Sequence, residues 1–171
     1  MRFRRGGAHL TLCVGLVGVF LSADPTQSAH GESKKVTGTS EQIARLVQTD
    51  IPLGGDPNNM VYFHSHLWIY RSSDPSWDRA HVFSVSFTAP AAERNRQRGH
   101  MAVAHPGGDL TFLALEGTWS KLSAAEWAWE VTGHFVWGTG RFAGITGRWR
   151  ERSEWRMSGV TSKWEAEYDV R

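Results

Sequence analysis

Four glycines fall within ten residues in Gly138-Thr139-Gly140-Arg141-Phe142-Ala143-Gly144-Ile145-Thr146-Gly147, between two tryptophan-rich segments of alternating polarity. Glycine reaches positive φ without steric penalty, so such a run marks a tight corner between strands. A phosphate-binding loop would need a lysine and a Ser or Thr leading into a helix. Here Arg148-Trp149-Arg150-Glu151 continues the alternation instead. The corner therefore specifies antiparallel β structure and names no reaction.

The alternation assigns faces. From 148 to 156 the even positions are Arg148, Arg150, Arg152, Glu154 and Arg156, while Trp149 and Trp155 are odd. From 161 to 170 the apolar positions Trp164, Ala166, Tyr168 and Val170 alternate with Glu165, Glu167 and Asp169. Residues two apart share one face of a strand. If the two runs pair antiparallel, an arginine row meets an acidic row and neutralises it on the outside. The same parity puts Glu151 on the tryptophan face, where loss of hydration would raise its pKa and suit it to acid–base work. The plainer alternative is a wetted carboxylate, or one paired with an arginine.

Turn signals divide the rest of the chain. Gly54-Gly55-Asp56-Pro57-Asn58-Asn59 and Ser72-Ser73-Asp74-Pro75-Ser76 are breaks, 90–97 reads as a charged loop, and His105-Pro106-Gly107-Gly108-Asp109 as a hairpin turn. Between them lie runs near 60–71, 80–89, 98–105, 109–120, 125–137, 145–156 and 161–170. A first run near 39–51 is taken as strand, although Ile43, Leu46 and Val47 also suit a helix. About eight strands at this spacing make an all-β barrel or sandwich. The domain is placed at 39–171, after a polar lead-in at 30–38.

Residues 1–29 read as a secretory signal. Arg2, Arg4 and Arg5 precede an uncharged apolar run, Leu10 to Leu21, and small residues allow cleavage after Ala23 or Ala29. An uncleaved N-terminal anchor is the alternative, but the apolar run is short for a bilayer. The expected location is secreted or periplasmic, with no membrane span after cleavage. Losing the three arginines leaves 16 basic residues, and cleavage after Ala29 also removes Asp24 and leaves 16 acidic ones. The formal charge of +2 thus disappears, and with it any field to attract nucleic acid. Cys13, the single cysteine, leaves too, so no disulfide is expected and stability must come from packing. Roughly 145 remaining residues suffice for one core.

Several residues could carry chemistry. His64-Ser65-His66 puts two imidazoles on one face of a strand, the spacing of a metal-binding pair, with His81, His100, His134 or Glu151 as conceivable third ligands. Two histidines on a strand surface are the commoner meaning, so no metal is expected. Tyr62, Trp68 and Tyr70 share the histidine face, while Phe63, Leu67 and Ile69 share the other. Both are apolar enough for burial, and an exposed one would serve self-association. Trp127 and Trp129 alternate with Val131 as core or lumen lining. Nucleophile elbow, Cys–His pair and dinucleotide fingerprint are absent from the sequence, and no cofactor is expected.

The Ser73-Asp74-Pro75 break, Gly99-His100-Met101-Ala102-Val103, Gly108-Asp109-Leu110 and the stretch from Gly133 through Gly147 resemble the allene oxide cyclase and dirigent-protein barrel superfamily, particularly its secreted bacterial members of unassigned activity. The resemblance spans roughly residues 60–170, and its specific element is the Gly-Thr-Gly-Arg-Phe-Ala-Gly corner. It implies an eight-stranded antiparallel barrel, often a homo-dimer or homo-trimer, whose lumen holds an apolar molecule. The expected function is binding of a small hydrophobic or aromatic molecule among Trp127, Trp129, Trp149, Trp155, Trp164 and Tyr168, with Glu151 as the candidate catalytic or anchoring group. The alternatives are a cyclase or isomerase acting on such a molecule, and a surface-acting scaffold with a filled barrel.

Overall fold

The computed structural model describes residues 33–53, 56–89, 95–157 and 159–171. The signal segment with Cys13, the start of the lead-in at 30–32, Gly54-Gly55 and the 90–94 part of the charged loop lie outside the described residues. Eight strands follow one another as β1 (Lys34–Leu53), β2 (Asp56–Ser72), β3 (His81–Ala89), β4 (Asn95–Ala104), β5 (Leu110–Lys121), β6 (Trp127–Gly138), β7 (Thr146–Arg156) and β8 (Gly159–Asp169). Each pairs antiparallel with its neighbours in sequence, and β8 returns to β1, closing an up-and-down barrel. Among the described residues no helix is long and apolar enough to cross a membrane.

Three boundaries differ from the sequence reading. Strand β1 begins at Lys34, inside the segment read as a lead-in, because Lys34 to Thr39 supply the whole ladder to β8, from Lys34 opposite Tyr168 to Thr39 opposite Lys163. Strand β4 begins at Asn95, so Gln97, read as loop, is an inward strand residue opposite Thr88 and Gly117. Strand β2 starts at Asp56 and extends the β1–β2 ladder beyond the predicted run. The 39–51 run is strand, and its helix-like spacing comes from register shifts between Gln42 and Ala44 and between Arg45 and Val47.

The undecided strand is now placed. Tyr62, His64, His66, Trp68 and Tyr70 share the inner side of β2, and Trp68 and Tyr70 join the core. Phe63, Leu67 and Ile69 face outward opposite Phe87, Phe83 and His81 of β3.

One end of the barrel is sealed. The Ser72–Ala80 loop is held by Asp74, whose carboxylate accepts from Ser76 N at 2.7 Å while its carbonyl accepts from Trp77 and Asp78. This drops Trp77, fully buried, into the barrel end, where it contacts Tyr70, Trp164, Tyr168, Phe135, Phe142 and His105. The glycine corner closes over the same cluster. Gly140–Phe142 form a single 3-10 turn that buries Phe142. Thr139 ties the turn to β5 by donating its N–H to Leu110 O and accepting from Leu110 N at 2.8 Å. Gly140 and Gly144 have φ of +53° and +73°, the left-handed region expected of this corner.

Candidate functional site

Towards the other end the inward faces of β1, β7 and β8 turn polar. Alternation puts Glu151 and Ser153 inside β7, and the register brings Ser153 opposite Ser162 of β8. Ser153 Oγ and Ser162 Oγ each donate to Glu151 Oε1 at 2.7 Å, and Ser40 Oγ of β1 lies 2.7 Å from Ser162 Oγ and 3.4 Å from the same Oε1. All three serine contacts thus fall on one oxygen. Among the described residues Glu151 forms no ion pair, whereas Arg150, Arg152 and Arg156 of its own strand pair with Glu130, Glu154, Glu165 and Glu126 outside. Burial pushes the Glu151 carboxyl above the usual carboxylate range, and the hydroxyls of Ser153, Ser162 and Ser40 oppose this. The Tyr70 phenol is pushed well above 10, by burial first and by Glu151 second.

Glu151 touches a lumen cavity of about 60 Å³ whose wall includes Trp68, Tyr70, Gln97, Met101, Trp129 and Trp149. Trp129 Nε1 donates to Gln97 Oε1, and Gln97 Nε2 donates to Ser86 Oγ at 2.7 Å, so the amide is fixed in one orientation. His64 and His66 meet edge to face, and His66 also stands edge to face with Trp68 and Trp129. Burial lowers both histidines, His66 to about 4, with Arg45 adding to each. Five buried polar atoms have no partner among the described residues: Gln42 Oε1, the Nε2 atoms of His64 and His66, and the Nε1 atoms of Trp149 and Trp155. Buried polar groups are ordinarily satisfied, and these five are gathered in and beside one lumen.

The candidate residues separate by position. Glu151 lies inside, as parity required, and Trp129 and Trp149 line the cavity. Trp155 is half-buried under the Arg45 guanidinium, 5.2 Å from its ring, and Trp127 packs on Trp119 at 4.7 Å. Trp164 and Tyr168 pack towards the sealed end of the barrel. Trp164 stacks on Tyr70 at 4.4 Å and donates to Thr39 O, and Tyr168 OH accepts from Trp77 Nε1 at 3.2 Å, so both are spent on the sealed end. His64 and His66 do share an inward face, but among the described residues no group of three metal-ligating side chains meets there. His81, His100 and His134 are exposed.

The sequence reading missed Gln97, hidden in a supposed loop, and Ser40 and Ser162, small polar residues that become visible only through pairing. It also missed Trp77 and His105. His105 is buried with Nδ1 2.9 Å from Ser76 O and Nε2 2.9 Å from Thr111 Oγ1. A carbonyl only accepts, so Nδ1 carries the proton. Burial lowers this histidine to about 4 as well. A larger open groove of about 1150 Å³ crosses the outside of the barrel. Arg98–Glu116, Arg152–Glu130 and Arg150–Glu165 pair within it, leaving a largely self-neutralised surface.

Among solved structures the chain is similar to the pterocarpan synthase dirigent protein GePTS1, at 12% identity and a TM-score of 0.48, with 89% of this chain and 100% of that chain covered. No family model matches the chain, and no curated protein matches it.

Proposed function

We propose that this chain is a small-molecule-binding barrel that takes one end of a small hydrophobic or aromatic molecule into its lumen. The observation that supports this is Glu151, a carboxylate without an ionic partner, held by three serines against a cavity walled by indoles. A core built only for stability gains from apolar packing, whereas a partly buried carboxylate with no ion pair among the described residues is costly to dehydrate and calls for another use. Native mass spectrometry of the mature protein tests the reading. A small molecule should be retained by the wild type and lost from a folded Glu151→Gln variant. Retention unchanged in the variant, or no uptake of the neutral aromatic probe N-phenyl-1-naphthylamine by the wild type, would overturn it.

The cavity volume favours a second reading. About 60 Å³ is well below the roughly 300–1,000 Å³ of ordinary ligand pockets, as a filled barrel acting through its surface would have. The uptake experiment separates the two. A cyclase or isomerase would use the same carboxyl to move a proton and would release a molecule of unchanged mass and altered chromatographic retention. We further propose that the mature protein is secreted or periplasmic and self-associates. N-terminal sequencing should start after Ala23 or Ala29, and recovery of Met1 would refute cleavage.

A further inference from the structure

We infer that the lumen is a receptor for a primary ammonium group, with Glu151 as its counter-charge and Trp68, Trp129 and Trp149 as the walls of its cage. This rests on the lumen-binding reading and specifies the chemistry of the molecule's inner end. The three serine contacts converge on Glu151 Oε1, and none reaches Oε2. Among the described residues no hydrogen bond is made to that oxygen, and Arg150, Arg152 and Arg156 of the same strand pair with surface acids instead.

The cavity wall supplies what a cation needs besides a carboxylate. Three indoles, the Tyr70 ring and the Met101 thioether line it, together with the hydroxyls of Ser84 and Ser86 as further acceptors. Cations are attracted to aromatic faces, most of all to tryptophan, and gain when the site is desolvated. Size narrows the choice. Space of about 60 Å³ takes a few heavy atoms, given roughly 30 Å³ for a water in liquid. An ammonium on one or two carbons fits, and a trimethylammonium is too large. An anionic end would meet Glu151, and a purely apolar end would leave Oε2 dehydrated without a donor. The half-buried rings beyond the cavity, Trp127, Trp155, Trp119 and Tyr62, suit a flat or apolar remainder.

Calorimetry with benzylamine and with benzyl alcohol, near-isosteric and differing in charge, tests this on the mature wild-type protein. Benzylamine should bind at least about tenfold tighter, the combined scale of a cation–aromatic contact and a charged hydrogen bond. Glu151→Gln should abolish that preference, and Glu130→Gln on the outer face should leave it intact. Equal affinities in the wild type would overturn the ammonium receptor and leave the lumen-binding reading standing. Binding of neither compound would overturn both. A preference that survives in Glu151→Gln, or is lost in Glu130→Gln, would place the amine on the surface and also overturn it. The wild-type comparison decides the matter even if the Glu151 variant fails to fold.

Discussion

His66 and His105 are almost wholly buried and titrate near 4, against an ordinary value of 6.5. Between those values the unfolded chain binds more protons than the folded one, so their contribution is complete above pH 6.5 and is lost as pH falls towards 4. From pH 7 to pH 5 each should cost about 2 kcal/mol of stability. Glu151 has the opposite sign. Its folded value is raised, so its contribution is present below its ordinary value and is lost as pH rises through the folded one. Urea unfolding should therefore show a steep acid loss that His66→Phe, which keeps a ring without a titrating nitrogen, reduces by about half. A variant as acid-sensitive as the wild type would show that His66 is hydrated when folded. At pH 8, Glu151→Gln should unfold no earlier than the wild type, because it removes a dehydrated charge and keeps the volume. A markedly lower midpoint would mean that the carboxylate is a net stabiliser.

At the scale of elements, the corner from Gly138 to Gly147 and the Asp74-centred loop act together as the stopper of one barrel end. The glycines in that corner are not equivalent. At Gly140 a Cβ would run into the Asp109 carboxylate, which also pairs with Arg141 at 2.9 Å. At Gly144 the nearest atoms lie 3.6 Å away, so only its positive φ resists substitution. Thermal or urea unfolding should show Gly140→Val losing several kcal/mol, roughly, through both strain and clash, and Gly144→Val about 1–2 kcal/mol through backbone conformation alone. Gly144→Asn should recover part of the latter, since Asn tolerates the left-handed region. Equal losses at the two sites would mean that the Asp109 clash is relieved by movement. Trp77→Ala should cost about 3–5 kcal/mol as a large-to-small change in a packed cluster.

For the whole molecule, closure and exterior are separate matters. The barrel is closed by the short β1–β8 ladder alone, Lys34 to Thr39 against Lys163 to Tyr168. A chain beginning at residue 40 should therefore lose cooperative unfolding, whereas one beginning at residue 30 should keep it. Equal transitions in the two would show the ladder to be dispensable. Outside, β7 and β8 carry paired charges, although the expected arginine–acid row is broken where Arg152 faces Lys163 and turns to Glu130 at 3.5 Å instead. The outer side of β2 and β3 is apolar. Phe63 packs on Phe87 at 4.9 Å, and Phe87 and Phe83 remain 51% and 42% exposed. A second copy of the chain is the partner proposed for this face, because its aromatic rows carry no charge to select a different one. Light scattering should show a dimer or trimer that Phe87→Asp converts to monomer without loss of β signal. A monomeric wild type would refute this.

The local pattern by itself determined the strands, their faces and the corner. Residues two apart must share a face, so Glu151 had to join Trp149 and Trp155, and glycine at 140 and 144 had to mark left-handed backbone. Only tertiary pairing decided the rest. Sequence parity says that two faces differ and not which one looks inward, so β2 could not be oriented until its histidine side met Trp129 across the lumen. Nor could it separate lining from filling. Trp149 and Trp164 have the same alternating signature, yet Trp164 is consumed by Tyr70 and Trp77 while Trp149 borders the cavity. The serine set around Glu151 comes from three strands and from residues more than a hundred positions apart, Ser40 and Ser162 among them. Such a cluster has no linear trace, because barrel closure and register alone bring its members within hydrogen-bond distance.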